Sequence, residues 1–149
     1  MSAVTSARNL IDILLIEDNP GDVRLIREVL GEGKILNQLT VLDDGEMAMR
    51  HFGALDADSQ SNWPHLILLD LNLPKINGTE VLKWLKDHAR FRQIPVIILT
   101  SSKSEEDVVR SYDLHANCFI TKPVGLEQFM SVVRSIEHFW LTIVHLPPS

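Results

Sequence analysis

Six polar residues spread from position 17 to position 122 could meet in one pocket and do chemistry together: Glu17, Asp18, Asp70, Asn72, Thr100 and Lys122. Each closes or follows a short apolar run. Crowded carboxylates repel one another, which raises the cost of ionising them. A hard divalent cation relieves that cost, and Mg2+ takes carboxylate, carbonyl and water oxygens in octahedral geometry. Screened by such an ion, a carboxylate can attack a phosphorus centre that already carries negative charge. Glu17 and Asp18 then form the metal site, Asp70 is the nucleophile beside the metal, and the Asn72 carbonyl is a further ligand.

The Lys122 ammonium could lie over phosphoryl oxygens or pair with Asp70 before any transfer. The Thr100 hydroxyl could donate to a phosphoryl oxygen. Pro123 could adopt a cis peptide bond that aims Lys122 inward. Each residue also has a plainer reading: solvated loop or cap for the acids, β-branched strand residue for Thr100, strand terminator for Pro123. Their joint placement at strand ends favours the pocket.

Five apolar runs would have to position these groups. Ile11 to Ile16 leads into Glu17-Asp18-Asn19-Pro20, and Leu36 to Leu42, the weakest run, leads into Asp43-Asp44-Gly45. His65 to Leu69 leads into Asp70, Pro95 to Leu99 into Thr100-Ser101-Ser102, and Cys118 to Ile120 into Thr121-Lys122-Pro123. The first, third and fourth are almost unbroken in apolar residues, as strands buried on both faces of a parallel sheet are. Asp12 lies inside the first run and is structural.

The intervening segments carry a helical period. Val23, Ile26, Val29 and Leu30 form a stripe entered through Pro20, a first-turn proline. Gly45 to Leu55 is a shorter helix, and Val81, Leu82 and Leu85 form a stripe after Gly78. Ser104 with Asp107 suggests a capping box for a helix through Tyr112 and Leu114. A last helix runs from Leu126 to about Val144. Residues 56–62 form a polar loop closed by Trp63-Pro64. Strand and helix alternating five times predict an α/β fold, an open doubly wound sheet that gathers ligands beyond the carboxyl ends of its strands. Strand order 2-1-3-4-5 would set the first strand beside the third.

A length of 149 residues suits one domain, and 45% hydrophobic residues suit a soluble globular chain. The net charge of -6 argues against general nucleic-acid binding. No apolar stretch is long enough for a membrane span, and the opening residues lack the pattern of a secretory signal. The single cysteine, Cys118, is expected to be a packed strand residue, which fits a cytoplasmic location.

In order and spacing these residues resemble the receiver domain of two-component response regulators over about residues 10–138. The shared pattern is Glu17-Asp18, then Asp70 with Asn72, Pro74 and Gly78, then Thr100-Ser101 thirty residues beyond Asp70, then Lys122-Pro123 twenty-two beyond Thr100. The resemblance implies a flavodoxin-like fold of five parallel strands and five helices, with Asp70 phosphorylated by a histidine kinase. It implies Mg2+ held by Glu17, Asp18, Asp70 and the Asn72 carbonyl, Thr100 as switch hydroxyl and Lys122 as phosphate contact. Phe119 matches the aromatic position that changes rotamer on activation, although a strand aromatic of the core would look the same in sequence. Many members have two aspartates where this chain has Glu17-Asp18, so altered rather than lost Mg2+ affinity is expected. The acyl phosphate would form from a phosphodonor and hydrolyse slowly.

The flanks narrow the resemblance. Glu17-Asp18-Asn19-Pro20-Gly21-Asp22, the polar loop before Trp63-Pro64, and Phe139-Trp140-Leu141 through Leu146-Pro147 are similar to the small response regulators paired with cyanobacterial phytochromes. A light-controlled histidine kinase is the partner that this implies. The last helix would be about 29 Å long, more than the sheet covers. Phe139, Trp140, Ile143 and Val144 would then overhang, and a homodimer contact over residues 139–149 is expected, with residues 1–9 as an N-terminal tail. The alternative is that this end folds back over its own domain.

None of the six histidines forms a spacing that suggests a metal site or phosphorelay donor. Nothing after Val144 could be an output domain, so signalling through protein contact is expected. Two other function classes compete with this one. A docking adaptor would keep the fold and work without phosphorylation, which the intact Asp70, Thr100 and Lys122 argue against. A phosphatase with an aspartyl intermediate needs a second acid two residues past the nucleophile, where Asn72 stands.

Overall fold

A computed structural model describes residues 11–32, 37–58, 63–111 and 118–135. Five parallel strands, β1 (Ile11–Ile16), β2 (Asn37–Leu42), β3 (Leu66–Asp70), β4 (Val96–Thr100) and β5 (Cys118–Thr121), form one sheet in the order 2-1-3-4-5. The helices are α1 (Pro20–Glu32), α2 (Gly45–Ala57), α3 (Gly78–Asp87), α4 (Lys103–Ser111) and α5 (Leu126–Ser135), with a 3-10 turn at Phe91–Gln93. This is the flavodoxin-like receiver architecture.

The apolar runs explain why the sheet is covered on both sides. Alternate side chains of a strand point to opposite faces. Leu14, Ile16, Ile67, Leu69, Val96 and Ile98 join Phe52, Leu82, Leu85 and Val109 beneath α2, α3 and α4. Ile13, Leu15, Leu66, Leu68, Ile97 and Leu99 join Ile26, Leu30, Phe129 and Val133 beneath α1 and α5. Each such side chain, fully buried, contributes about 1.5–3 kcal/mol. β2 is an edge strand and, up to the buried Leu42, alternates between half-buried and exposed positions, which is why its run was the weakest.

Helix starts differ in places from the sequence reading. Asn19 caps α1, its Oδ1 accepting from the Asp22 N–H at 3.0 Å, and Pro20 occupies the first turn as expected. The cap of α4 is Ser102, not Ser104: its Oγ accepts from the Glu105 N–H at 3.4 Å. Helix α2 runs on through Ala57, because Leu55 is buried and keeps the last turn packed, so Asp56 and Ala57 belong to it and not to the following loop. His65 and His88 have structural roles. His65 Nδ1 accepts from the Asp12 N–H, and His88 Nδ1 accepts from the Arg90 and Phe91 N–H groups.

No helix among the described residues is long and apolar enough to cross a membrane. The expectations for Tyr112 and Leu114, for the helix beyond Ser135, and for Phe139, Trp140, Ile143 and Val144 fall outside the described residues.

Candidate functional site

Neighbouring parallel strands lie about 4.8 Å apart, so consecutive strand ends deliver their residues to one place. β1 ends at Ile16 and hands over to Glu17 and Asp18; β3 ends on Asp70, β4 on Thr100, and Lys122 follows the last residue of β5. Carboxylate oxygens of Glu17, Asp18 and Asp70 lie within 4.8 Å of one another. Glu17 and Asp70 are each only 1% exposed, whereas Asp18 stands at the rim.

Lys122 reaches into this cluster through a cis Lys122–Pro123 peptide bond. Its Nζ lies 2.7 Å from Glu17 Oε1, 3.1 Å from Asp70 Oδ2 and 3.1 Å from Asp22 Oδ2. Burial opposes the ammonium charge, but Glu17, Asp70 and Asp22 outweigh it and hold Lys122 above the usual lysine range. Glu17 is pushed up to about 7, first by burial and then by Asp70 beside it, with Lys122 and the Asn19 N–H pulling the other way. One ammonium therefore does not neutralise two buried carboxylates.

Each carboxylate is also fixed by backbone. Glu17 Oε2 accepts from the Asn19 N–H and Asp70 Oδ1 from the Asn72 N–H, both at 3.1 Å. A β-carbon on Gly78 would lie 2.2 Å from the Asp70 carbonyl oxygen, so only glycine lets α3 start this close to the nucleophile candidate. The loop between them bends tightly, and Lys75 there takes a left-handed φ of 68°.

The Thr100 hydroxyl is buried without a hydrogen-bond partner. An orphaned donor beside surplus negative charge is costly unless a ligand completes it. The donor set fits a hard cation with an oxyanion: carboxylates for the first, and Thr100 and Lys122 for the second. Phe119 is half-buried and packs on the α2–α4 side of the sheet. Asn72 does more than the sequence suggested, since its Nδ2 donates to Glu105 Oε2 at 2.6 Å. Asp22 and Glu105 were missed as site residues. Both look in sequence like ordinary first-turn acids favoured by the helix dipole, and only the fold turns them toward Lys122 and Asn72.

Comparison with known proteins agrees with this geometry. The response regulator receiver domain family matches residues 13–134. The response regulator Rcp1 of Synechocystis sp. is 46% identical over 135 residues, 91% of this chain and 92% of that protein. The Mn2+-bound form of Rcp1 superposes with a TM-score of 0.70 at 45% identity, covering 92% of this chain and 99% of that one. The phosphorylated cyanobacterial phytochrome response regulator RcpA superposes at 0.71 with 42% identity, covering 92% and 98%. Receiver domains bind divalent metal through an acidic pocket, and Glu17, Asp18 and Asp70 make up an acidic cluster here. From the matched residues and the identity to Rcp1, this chain belongs to the response regulator receiver domain family, related to the phytochrome-associated regulators.

Proposed function

We propose that this protein accepts a phosphoryl group on Asp70 from a histidine kinase of the phytochrome type, and signals by changing shape and contacting other proteins. The observation that carries the reading is Asp70 itself: a buried carboxylate with one oxygen held by the Asn72 N–H and the other by Lys122 Nζ. So held, it can meet phosphorus in line.

In the transfer, an Asp70 carboxylate oxygen forms the new O–P bond as the N–P bond of the donor phosphohistidine breaks. The imidazole leaves with the electron pair and takes up a proton. Glu17, Asp18, Asp70 and the Asn72 carbonyl would hold Mg2+, which supplies charge screening for the phosphoryl oxygens. Lys122 neutralises part of the added charge of about 1.5 to 2 units, and the free Thr100 hydroxyl donates to a phosphoryl oxygen. Drawing Thr100 inward opens space for Phe119 to turn, and the α4–β5 surface changes with it. Slow hydrolysis of the acyl phosphate resets the switch.

The wider reading is supported by the sequence and by the likeness to phytochrome-associated regulators. It takes residues 10–138 as the receiver, a cytoplasmic setting, no direct nucleic-acid contact, and a homodimer through Phe139, Trp140, Ile143 and Val144.

Incubation with acetyl phosphate, followed by intact mass, tests the central claim. The expected result is a gain of one phosphoryl group that needs Mg2+, disappears with chelator and is absent from Asp70→Asn. Folded protein that gains nothing, even from a phosphohistidine kinase, would leave the docking adaptor as the better reading.

A further inference from the structure

Glu105 stands in the first turn of α4, and its carboxylate spans two loops. Oε1 accepts from the Ser101 N–H at 2.7 Å, and Oε2 accepts from Asn72 Nδ2 at 2.6 Å. A capping glutamate would return to the N–H of its own cap residue, here Ser102. Glu105 instead reaches one residue further back and also across to a loop thirty-three residues away in sequence. Those two loops are the ones that leave the site. Ser101 follows Thr100, whose buried hydroxyl has no partner, and the Asn72 N–H holds Asp70.

We propose that Glu105 is an internal competitor of the incoming phosphoryl group, a positioning residue whose carboxylate occupies the rim donors Ser101 N–H and Asn72 Nδ2 until that group displaces it. The inference rests on Asp70 being the phosphoacceptor. Phosphoryl oxygens need several donors, and Lys122 is already shared among Glu17, Asp70 and Asp22. Thr100 supplies one more. Ser101 N–H and Asn72 Nδ2 are further donors on the open side of the site, and both face a carboxylate of the same chain. That carboxylate also repels an anionic donor as it approaches. A cavity of about 120 Å³ lined by Leu71, Asn72, Asn77, Thr79, Glu105 and Val109 gives the displaced side chain room. Release would untie the β4–α4 loop from the β3–α3 loop, so the modification and the movement of α4 are coupled through this one residue.

The test follows phosphoryl gain by intact mass over a series of acetyl phosphate concentrations with Mg2+, in the wild type, Glu105→Ala, Glu105→Gln and Glu105→Asp, with thermal unfolding in parallel. Glu105→Ala should lower the half-saturating concentration by about three- to tenfold, with less effect on the maximal rate. Glu105→Asp keeps the charge but is too short to span both donors, and it should show most of the same gain. If Glu105→Ala and Glu105→Asp saturate like the wild type, or less readily, the competitor is overturned while the Asp70 reading stands. A gain in Glu105→Ala and Glu105→Gln without one in Glu105→Asp would mean simple charge repulsion and would overturn the competition for these donors. Should Glu105→Ala fail to fold, the aspartate and glutamine variants decide between these results. No phosphoryl gain in any protein, wild type included, overturns the Asp70 reading and this inference with it.

Discussion

Where the chain enters β3 and β4, Trp63 stacks on Phe91 with ring centroids 4.1 Å apart and planes 12° from parallel. At the opposite edge of the sheet, Glu17 and Asp70 share the ammonium of Lys122. Phe91 is the hub of the first region, with Phe52 at 5.3 Å, Trp84 at 5.4 Å and His88 at 4.8 Å. Its charges stay outside: Arg90 lies 4.0 Å above the Trp63 ring, and Asp56 takes His88 and Arg90 at the surface. One orphan remains there, the buried Trp63 indole N–H. The second region has its charges inside, too few cations for them, and a hydroxyl with nothing to bond. Packing needs no ligand to be complete, whereas the charged end does. The same sheet thus carries a region that stabilises and a region kept short of its optimum for binding.

Phe91→Ala tests the packed end and should have the largest effect. Removing a fully buried aromatic costs about 3–5 kcal/mol, and the neighbouring rings cannot collapse far because four of them line the same space. Denaturant unfolding at pH 5 and pH 8, with and without Mg2+, should give the same loss in all four conditions. A loss that shrinks when Mg2+ is present would mean that the two ends are coupled, and the contrast would fail.

The charged end should respond to pH where the packed end does not. Glu17 titrates near 7 in the fold against an ordinary value of 4.5, so between those values the folded chain holds a proton that the unfolded chain has released. The associated stability is fully present below about pH 4.5 and is lost as pH rises through 7. The loss in metal-free protein is on the order of 3 kcal/mol. Lys122 is held on the charged side throughout this range and does not reverse the sign. Unfolding measured in chelator should decline over this window, and Glu17→Gln should flatten the decline. Because proton and metal compete for the same oxygens, Mg2+ affinity should climb over the same window. A flat profile in the wild type would show that Lys122 neutralises Glu17 fully.

Much of this division was legible in the chain. Almost unbroken apolar runs marked β1, β3 and β4 because both faces of those strands are covered. The residues just after the runs marked the site, because parallel strands end together at one edge. Boundaries failed where a local signal competed with a tertiary one. Ser102 and Ser104 both suit a cap, and the position of Glu105 over the Ser101 N–H decides between them. Asp22, Glu105 and the aromatic cluster were not legible, since nothing in the sequence says which exposed-looking acid turns inward. Trp63 is far from Trp84 and Phe91 in the chain, and it meets Phe91 because the entrances of β3 and β4 are adjacent.

The smallest effect should come from the cation at the packed end. Arg90 is about half exposed, its Nη1 is 3.8 Å from Asp56, and its guanidinium lies over Trp63. Ion pairs of this exposure contribute little, and a half-exposed cation over a ring adds about 0.5–1 kcal/mol. Arg90→Ala should therefore cost less than about 1 kcal/mol, part of it lost in high salt, with phosphoryl gain at Asp70 unchanged. Urea unfolding at low and high salt measures the first, and intact mass after acetyl phosphate the second. A loss of several kcal/mol would place an essential charge at the packed end. Division of the molecule into a neutral stabilising end and a charged working end would then have to be abandoned.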